Sequence, residues 1–584
     1  MTDLYLNGVL VDLPTDANIK IIQENPYFTK SSSYTYNIAL PLRSKINQKI
    51  FKHVNREDVA KRAVTFNATL ISLGQTLLRG TATITEIKDE TVQIQLLAGN
   101  AEFNFFAKSE NVYIDEIDMG TCPTPGPSEY IKLVDFKPKY TKQYSEGGIG
   151  VVLPVWNKTD QKIYNYMVAD LTGTTPYYYW ANRSGGYVNI CAQPYLCYVI
   201  KKVVESIGYT LELNEIENTI YKNLYVPSVK VTDKYQKALP HWTISDFVSH
   251  VENFMGMLIV VDEDTKKVKF LFNKSYYNTV NPVTIQTIAD ESATTIDVEE
   301  TKDVTDGNIG YTLSGWDDDN YKKLSDDVLD SATINHYDTY ALLVAAFNSM
   351  TYNQKKKIIF EAENRRYIVM KDDTSEYLFE VDQWRNLIRY PAQKDLDVEL
   401  KIVPAEMIES SIKLSWGFPF NEGNALIPVL MPALSGSTYV DDTVESLSLQ
   451  DIIDGEYNEE DKTDIMPVAF FYEYQTISSD EHVHYYPIPW VDYKNDLFPG
   501  LPMWSLRLVG TSAETYLGAN SHTGIVKVNS AVEETKIVIS RKKFDPKAVY
   551  IINNKRYVCK KIEMTVTATG PAPTQRFILY ELLE

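Results

Sequence analysis

The sequence predicts a mainly β, multidomain protein with α/β parts, and three observations carry that expectation. Its 584 residues correspond to about four domains at roughly 150 residues each. Aromatic residues make up 12% of the chain, including 41 tyrosines, a composition suited to the pleated, half-buried surface of a sheet. Short alternating segments bounded by turn residues recur from the first residues to the last.

Taken in order, LYLNGVLVDL sets Asn7-Gly8 between two apolar segments, and both residues tolerate the positive φ of a tight hairpin turn. Tyr34, Tyr36, Ile38 and Leu40 alternate with polar or small residues, as do Val64, Phe66, Ala68 and Leu70, so each run reads as a half-buried strand. Between them Ile46, Ile50, Phe51 and Val54 share one helical face. Ala82 to Ile87 and Thr91 to Leu96 flank a polar turn at Lys88-Asp89-Glu90. Residues 1 to about 110 therefore read as a β-rich unit with one short helix. CPTPGPSEY, Cys122 to Tyr130, then stops both helix and ladder.

Two helices follow. Leu196, Val199, Ile200, Val203, Val204 and Ile207 recur at helical spacing, with Pro194 before them and Gly208 as cap. Thr243 and Asp246 resemble a capping box ahead of Phe247, Val248, Val251, Phe254 and Met255, and Gly256 ends the run. YTLEL follows the first helix; MLIVV and VKFLF, joined by a turn at Asp262 to Lys267, follow the second. The end of the chain, AVYIINNKRYVCKKIEMTVT, a turn at GPAPT and RFILYELL, reads as a three-stranded meander with its first turn at Asn553-Asn554. These breaks divide the chain into a β-rich, barrel-like 1–125, an irregular 126–190, a helix-strand-hairpin unit at 191–280, a second β-rich region with an acidic loop at 281–410, and a C-terminal β domain at 411–584.

Hydrophobic residues are 44% and charged residues 23% of the chain, enough apolar surface for packed cores and too much for disorder. Lys and Arg number 57 against 78 Asp and Glu, a net charge of −21, which opposes general binding to phosphate backbones or anionic lipid. The N-terminus does not read as a secretory signal. The most apolar stretch, Ala425 to Leu434, is broken by Pro428 and Pro432 and is too short to span a bilayer. Cys122, Cys191, Cys197 and Cys559 form no CxxC pair and read as reduced, buried thiols.

Few residues carry chemistry in a recognisable pattern. His482 and His484, beside Asp480, would face the same way on a strand, but no third ligand stands at a familiar spacing, so they read as polar residues on its solvent side. Asp317 to Asp319, and Asp303, Asp306 and Gly307, lack the spaced acidic pattern of a calcium loop and read as solvated. Gly148-Ile149-Gly150 begins a dinucleotide-like pattern without its third glycine. Lys355-Lys356-Lys357 with Arg365-Arg366 beside Tyr367 is a local basic cluster that reads as an exposed face or as partners of acidic residues. No phosphate loop, H-E-x-x-H helix or G-x-S-x-G elbow occurs. The reading is therefore a non-enzyme, with no catalytic, cofactor-binding or metal-ligating residues assigned and no cofactor.

LYLNGVLVDL, SYTYNIALPL with KINQKIFKHV, PYLCYVIKKVVESIGYTLEL, LPHWTISDFVSHVENFMGMLIVVDEDTKKVKFLF and the closing VYIINNKRYVCKKIEM with FILYEL together resemble tail-tip or baseplate hub proteins of tailed bacteriophages, of the type encoded by phages and prophages of Bacteroides-like bacteria. That resemblance implies tail-tube-like β-barrels with interposed helix-containing domains. It implies a homotrimer in the virion tail, made in the bacterial cytoplasm, that contacts tube or distal ring, tip or fibre, and tape-measure proteins. It also implies a part in tip opening and passage of DNA without sequence-specific binding. If part of the negative excess lined a channel, DNA would not adhere to its wall. The alternative is a glycan-binding or carbohydrate-active β-sandwich protein, supported by the tyrosine and tryptophan content.

Overall fold

The computed structural model describes residues 1–56, 58–59, 64–109, 112–125, 131–157, 162–170, 177–180, 183–184, 187–277, 282–296 and 528–582, with mainly short strand segments between 297 and 527. The architecture is mainly β. One sheet of 14 strands runs in an open path from the Val9–Leu10 strand to the Ile288–Ile296 strand, and the described residues form no closed barrel.

This sheet joins the two ends of the chain. Asn18–Glu24 pairs antiparallel with Lys555–Thr567, from Asn18 opposite Thr567 to Glu24 opposite Lys561. The closing meander, Val549–Ile552, Lys555–Thr567 and Gly570–Leu582, thereby extends a sheet begun by Thr2–Leu6, Thr65–Ser72, Gln75–Ile87 and Thr91–Leu97. Alternation explains the faces: Leu4, Leu6, Phe66, Ala68 and Leu70 point into one core with Ile19, Ile21, Met564 and Val566. The Asn7-Gly8 turn has φ of 48° and 79°, and the Asn553-Asn554 turn 51° and 65°, the paired positive angles of a tight hairpin.

Several expectations are corrected. The run from Tyr34 to Leu40 is two short strands, Ser33–Thr35 and Ile38–Pro41, and Tyr36 between them is exposed. Ile46 is exposed as well, and the buried residue of the Lys45–Ile50 helix is Asn47, whose side-chain amide bonds the carbonyls of Asp12 and Pro41. Residues 1–110 hold two further helices, Pro26–Thr29 and Asn100–Ser109. The prolines of GPAPT lie inside the last strand, which starts at Gly570, and the chain reverses at Ala568-Thr569 before them. Pro428 and Pro432 likewise sit within a strand, Ala425–Leu434, paired with Met407–Leu414.

The helices Leu196–Ser206 and Ile244–Met255 match the periodicity, burying Leu196, Val199, Ile200, Val203 and Val204 on one and Phe247, Val248, Val251, Phe254 and Met255 on the other. Thr243 Oγ1 accepts from the Asp246 amide at 3.1 Å, and Gly256 takes the left-handed φ of 57° that ends the second helix. Thr210–Asn214, Lys267–Phe272 and Met257–Val261 form a three-stranded sheet beside them. The Asn100–Ser109 helix sends Phe103 and Ala107 into this middle core although it follows directly from the first sheet. Among the described residues no helix is long and apolar enough to cross a membrane.

Candidate functional site

Polar side chains lock the first sheet, the middle unit and the C-terminal meander together. Asn25 is fully buried; its Nδ2 donates to the carbonyls of Cys559 (2.8 Å) and Pro546 (3.1 Å) and to Tyr277 Oη (2.9 Å), while its Oδ1 accepts from Tyr276 Oη (2.8 Å) and the Tyr27 amide (3.1 Å). Asn100 covers the free edge of the Met257–Val261 strand, donating to Ile259 O at 2.5 Å and accepting from Val261 N at 3.0 Å, which blunts an edge that would otherwise invite pairing. Glu252, also buried, accepts from Ile259 N at 3.0 Å and meets Lys30 Nζ at 3.3 Å; burial holds its carboxyl above its ordinary value of 4.5. Glu263 bridges Ser33 and Lys543, the latter at 2.9 Å, across a cleft of about 320 Å³ where the three parts meet.

A second concavity, about 550 Å³, is lined by residues of the first sheet and of the Asn100–Ser109 helix. Its lining includes the apolar Leu97 and Ala101 and the aromatic Tyr34 and Phe105. The Tyr34 hydroxyl is turned to Glu24 Oε1 at 3.2 Å, and burial with that carboxylate raises it to about 12. Beyond the groove the sheet presents a polar face: Thr65, Thr83 and Gln95 lie in one row across three strands, with Asn67, Gln93 and the charged Arg79 and Glu86, paired opposite Thr69 and Gln93, nearby.

Sequence reasoning did not single out one pair. His241 Nδ1 lies 3.1 Å from Asp115 Oδ1, and its ring stacks on Tyr113 at 3.7 Å. Acid-base catalysis on a nucleophile needs a hydroxyl or thiol at the other imidazole nitrogen; among the described residues Asp115 is the only hydrogen-bond partner of His241. The two residues stand 126 positions apart, and no local motif could have joined them. The pair fastens the Tyr113 segment to the chain before the Ile244–Met255 helix, with Ile114 N donating to Trp242 O at 2.9 Å.

The candidates raised by the sequence are not brought together. All four cysteines are buried; burial raises the Cys122 thiol to about 11 and the other three further, which makes them poor nucleophiles at neutral pH. Gly148 and Gly150 serve packing: a Cβ on Gly150 would lie 2.2 Å from the Tyr235 ring and 2.6 Å from Gln193 O. His482 and His484 do stand on a strand, opposite Ser479 and Ile477. Arg366 and Tyr367 stand on Arg366–Met370, opposite Glu380 and Phe379. Asp480, Lys355, Lys356, Lys357, Arg365, Asp303, Asp306, Gly307, Asp317, Asp318 and Asp319 lie outside the described residues.

No family model matches the chain, and no curated protein matches it. Among solved structures it is similar to the 43 kDa tail protein of prophage MuSo2 from Shewanella oneidensis, at 7% identity over 100% of this chain and 97% of that one with a TM-score of 0.31. It is also similar to the tail protein from Neisseria meningitidis MC58, at 7% identity over 99% and 95% of the two chains with a TM-score of 0.29. At these scores the likeness fixes neither fold nor function for this chain.

Proposed function

We propose that the chain is a structural protein of a phage tail: a hub at the distal end that closes or continues the tail tube and takes part in tip opening and DNA passage. It acts as a homotrimer against tube or distal-ring, tip or fibre, and tape-measure proteins. The observation that carries this reading is the open sheet built from both chain ends. Its terminal strands, Val9–Leu10 and Ile288–Ile296, pair on one side only among the described residues, and Val9, Leu10 and Ile296 are exposed. The nine-residue Ile288–Ile296 edge is of the kind that invites pairing in a monomer, and a head-to-tail ring of copies would cover it. The quoted sequence segments that resemble hub proteins support the same reading.

In that ring the surface bearing Thr65, Asn67, Thr83, Thr85 and Gln93 would face the channel. A phosphate backbone would meet mainly hydroxyls and amides there, with few basic groups to hold it. No catalytic role is assigned. Light scattering on the purified chain tests the assembly: a mass near three times 66.7 kDa is expected, with a central channel by electron microscopy. A mass that stays at one chain even with the tail tube protein present, or a channel lined with lysine and arginine, would overturn the reading.

A further inference from the structure

The groove between Tyr34 and Phe105 carries an inference that does not depend on the hub reading. Its lining joins apolar Leu97 and Ala101 and those two aromatic rings with polar Ser31, Gln95, Asn104 and Lys108. Among the described residues the Gln95 amide and the Lys108 ammonium make no hydrogen bond or ion pair, and Asn104 uses only its Nδ2, on Lys30 O at 2.8 Å, leaving Oδ1 free. It is a broad, open concavity of about 550 Å³, shaped to take one face of an extended ligand rather than to enclose it. We propose that this groove binds an acidic saccharide, such as a uronic acid unit.

The chemistry runs from the side chains. The C–H face of a pyranose is apolar and lies flat on an aromatic ring, which Phe105 and Tyr34 supply. Neighbouring sugar hydroxyls each offer a donor and an acceptor, and a primary amide such as Gln95 answers both at once. Lys108 is exposed, in a chain where acidic groups outnumber basic ones 78 to 57; a free ammonium there favours a carboxylate on the ligand. An extended acidic peptide would satisfy Lys108 but leave the two aromatic side chains without a ring to stack on, so the saccharide is preferred.

The test uses the full chain with trigalacturonate, maltotriose as the neutral sugar and tetraglutamate as the acidic peptide, read by saturation-transfer NMR and calorimetry. Trigalacturonate should bind about tenfold more tightly than maltotriose, the worth of one charge-assisted contact. Lys108→Gln should erase that preference while leaving maltotriose unchanged. Phe105→Ala should weaken both sugars about tenfold, and Tyr34→Phe should leave both within about twofold because the hydroxyl is committed to Glu24. If Phe105→Ala lowers the unfolding midpoint, Phe105→Leu keeps apolar volume without the ring and should show the same loss. Failure of both sugars to bind, or binding indifferent to Phe105 and Lys108, would overturn the proposal. Tetraglutamate binding as tightly as trigalacturonate would also overturn it and assign the groove to an acidic protein segment.

Discussion

Replacing Asn25 with alanine should be among the most damaging single changes available in this chain. The fully buried side chain has five polar partners: the two N–H of Nδ2 are shared among two backbone carbonyls of the C-terminal meander and the Tyr277 hydroxyl, and Oδ1 accepts from the Tyr276 hydroxyl and from the Tyr27 amide at the start of the Pro26–Thr29 helix. At a net worth of about 1 kcal/mol for each of the four bonds that two N–H groups and two lone pairs allow, with buried partners left unsatisfied, the loss comes to about 4 kcal/mol. That exceeds the usual 0.5 to ~3 kcal/mol of a point mutation. Asn37 is the matched control, since it is exposed and its one side-chain bond runs to Gln93 Oε1 at 3.0 Å; Asn37→Ala should cost less than about 0.5 kcal/mol.

Amide hydrogen exchange followed by mass spectrometry is the appropriate assay, because a chain with several cores does not unfold as one unit. Asn25→Ala should lose protection together in Asn18–Glu24 and in Lys555–Thr567, the two strands that meet beside Asn25. The Thr210–Asn214 strand of the middle unit should keep its protection. Tyr276→Phe, which removes a single bond, should cost about 1 kcal/mol in the same segments. If Asn25→Ala exchanges within about 1 kcal/mol of Asn37→Ala, the polar clasp is not what holds the chain ends together.

Further outcomes follow from other sites. Gly150→Ala should destabilise by more than about 2 kcal/mol by chemical denaturation, since its Cβ meets the Tyr235 ring and Gln193 O, whereas Gly74→Ala has open space and only its positive φ of 77° to cost about 1 kcal/mol. A thiol reagent at neutral pH should label none of the four cysteines in the native chain and all four in denaturant, because each is buried and its thiol is pushed above its ordinary value. His250, packed against Trp242 with Asp246, Lys30 and Lys401 around it, is lowered by burial from 6.5 to about 4. A depressed histidine favours the folded state above pH 6.5, and that stability drains away as pH falls toward 4; the screened contribution is of the order of 2 kcal/mol, and His250→Phe should flatten it in unfolding curves taken across that range. Glu252 acts in the opposite sense: its raised carboxyl favours the fold below its ordinary 4.5 and loses that contribution as pH rises through the folded value, a dependence that Glu252→Gln should remove.

What the sequence disclosed was whatever local period and turn chemistry dictate. The Asn7-Gly8 and Asn553-Asn554 turns, the Thr243 to Gly256 helix and the Lys88 to Glu90 turn all depend on residues within a few positions of one another. The Asn100–Ser109 helix escaped notice because its buried face is divided: Phe103 and Ala107 enter the middle core, Glu102 is buried against Thr81 and Lys266, and Phe105 borders an open groove, so no single apolar stripe marks it. Ile46 misled because Asn47, a polar residue, occupies the buried position of its helix. The pairing of Asn18–Glu24 with Lys561–Thr567, the Asn25 clasp and the His241 to Asp115 contact join residues more than a hundred positions apart, and nothing local announces them.

The distribution of apolar and polar contacts bears on how such a chain would work in an assembly. Its described apolar residues fall into separate clusters, one under the N-terminal sheet, one in the middle unit and others within the C-terminal meander. The joints between them combine apolar contacts, with Met564 and Val566 in the N-terminal core and Tyr27, Phe28 and Tyr277 against the meander, with the polar contacts of Asn25, Asn100, Glu252 and the Ser33, Glu263 and Lys543 bridge. Apolar cores are non-directional and resist partial opening, because exposing a small area already carries the full cost per unit surface. Hydrogen-bonded joints differ: they fix register sharply, yet water can replace each bond at small net cost once the parts separate. Units joined in this way can shift against one another without any of them unfolding. The two chain ends share one sheet and one apolar core, so the polar joint that could shift without breaking a ladder is the one between the middle unit and that sheet, at Asn100, Glu252 and the Glu263 bridge.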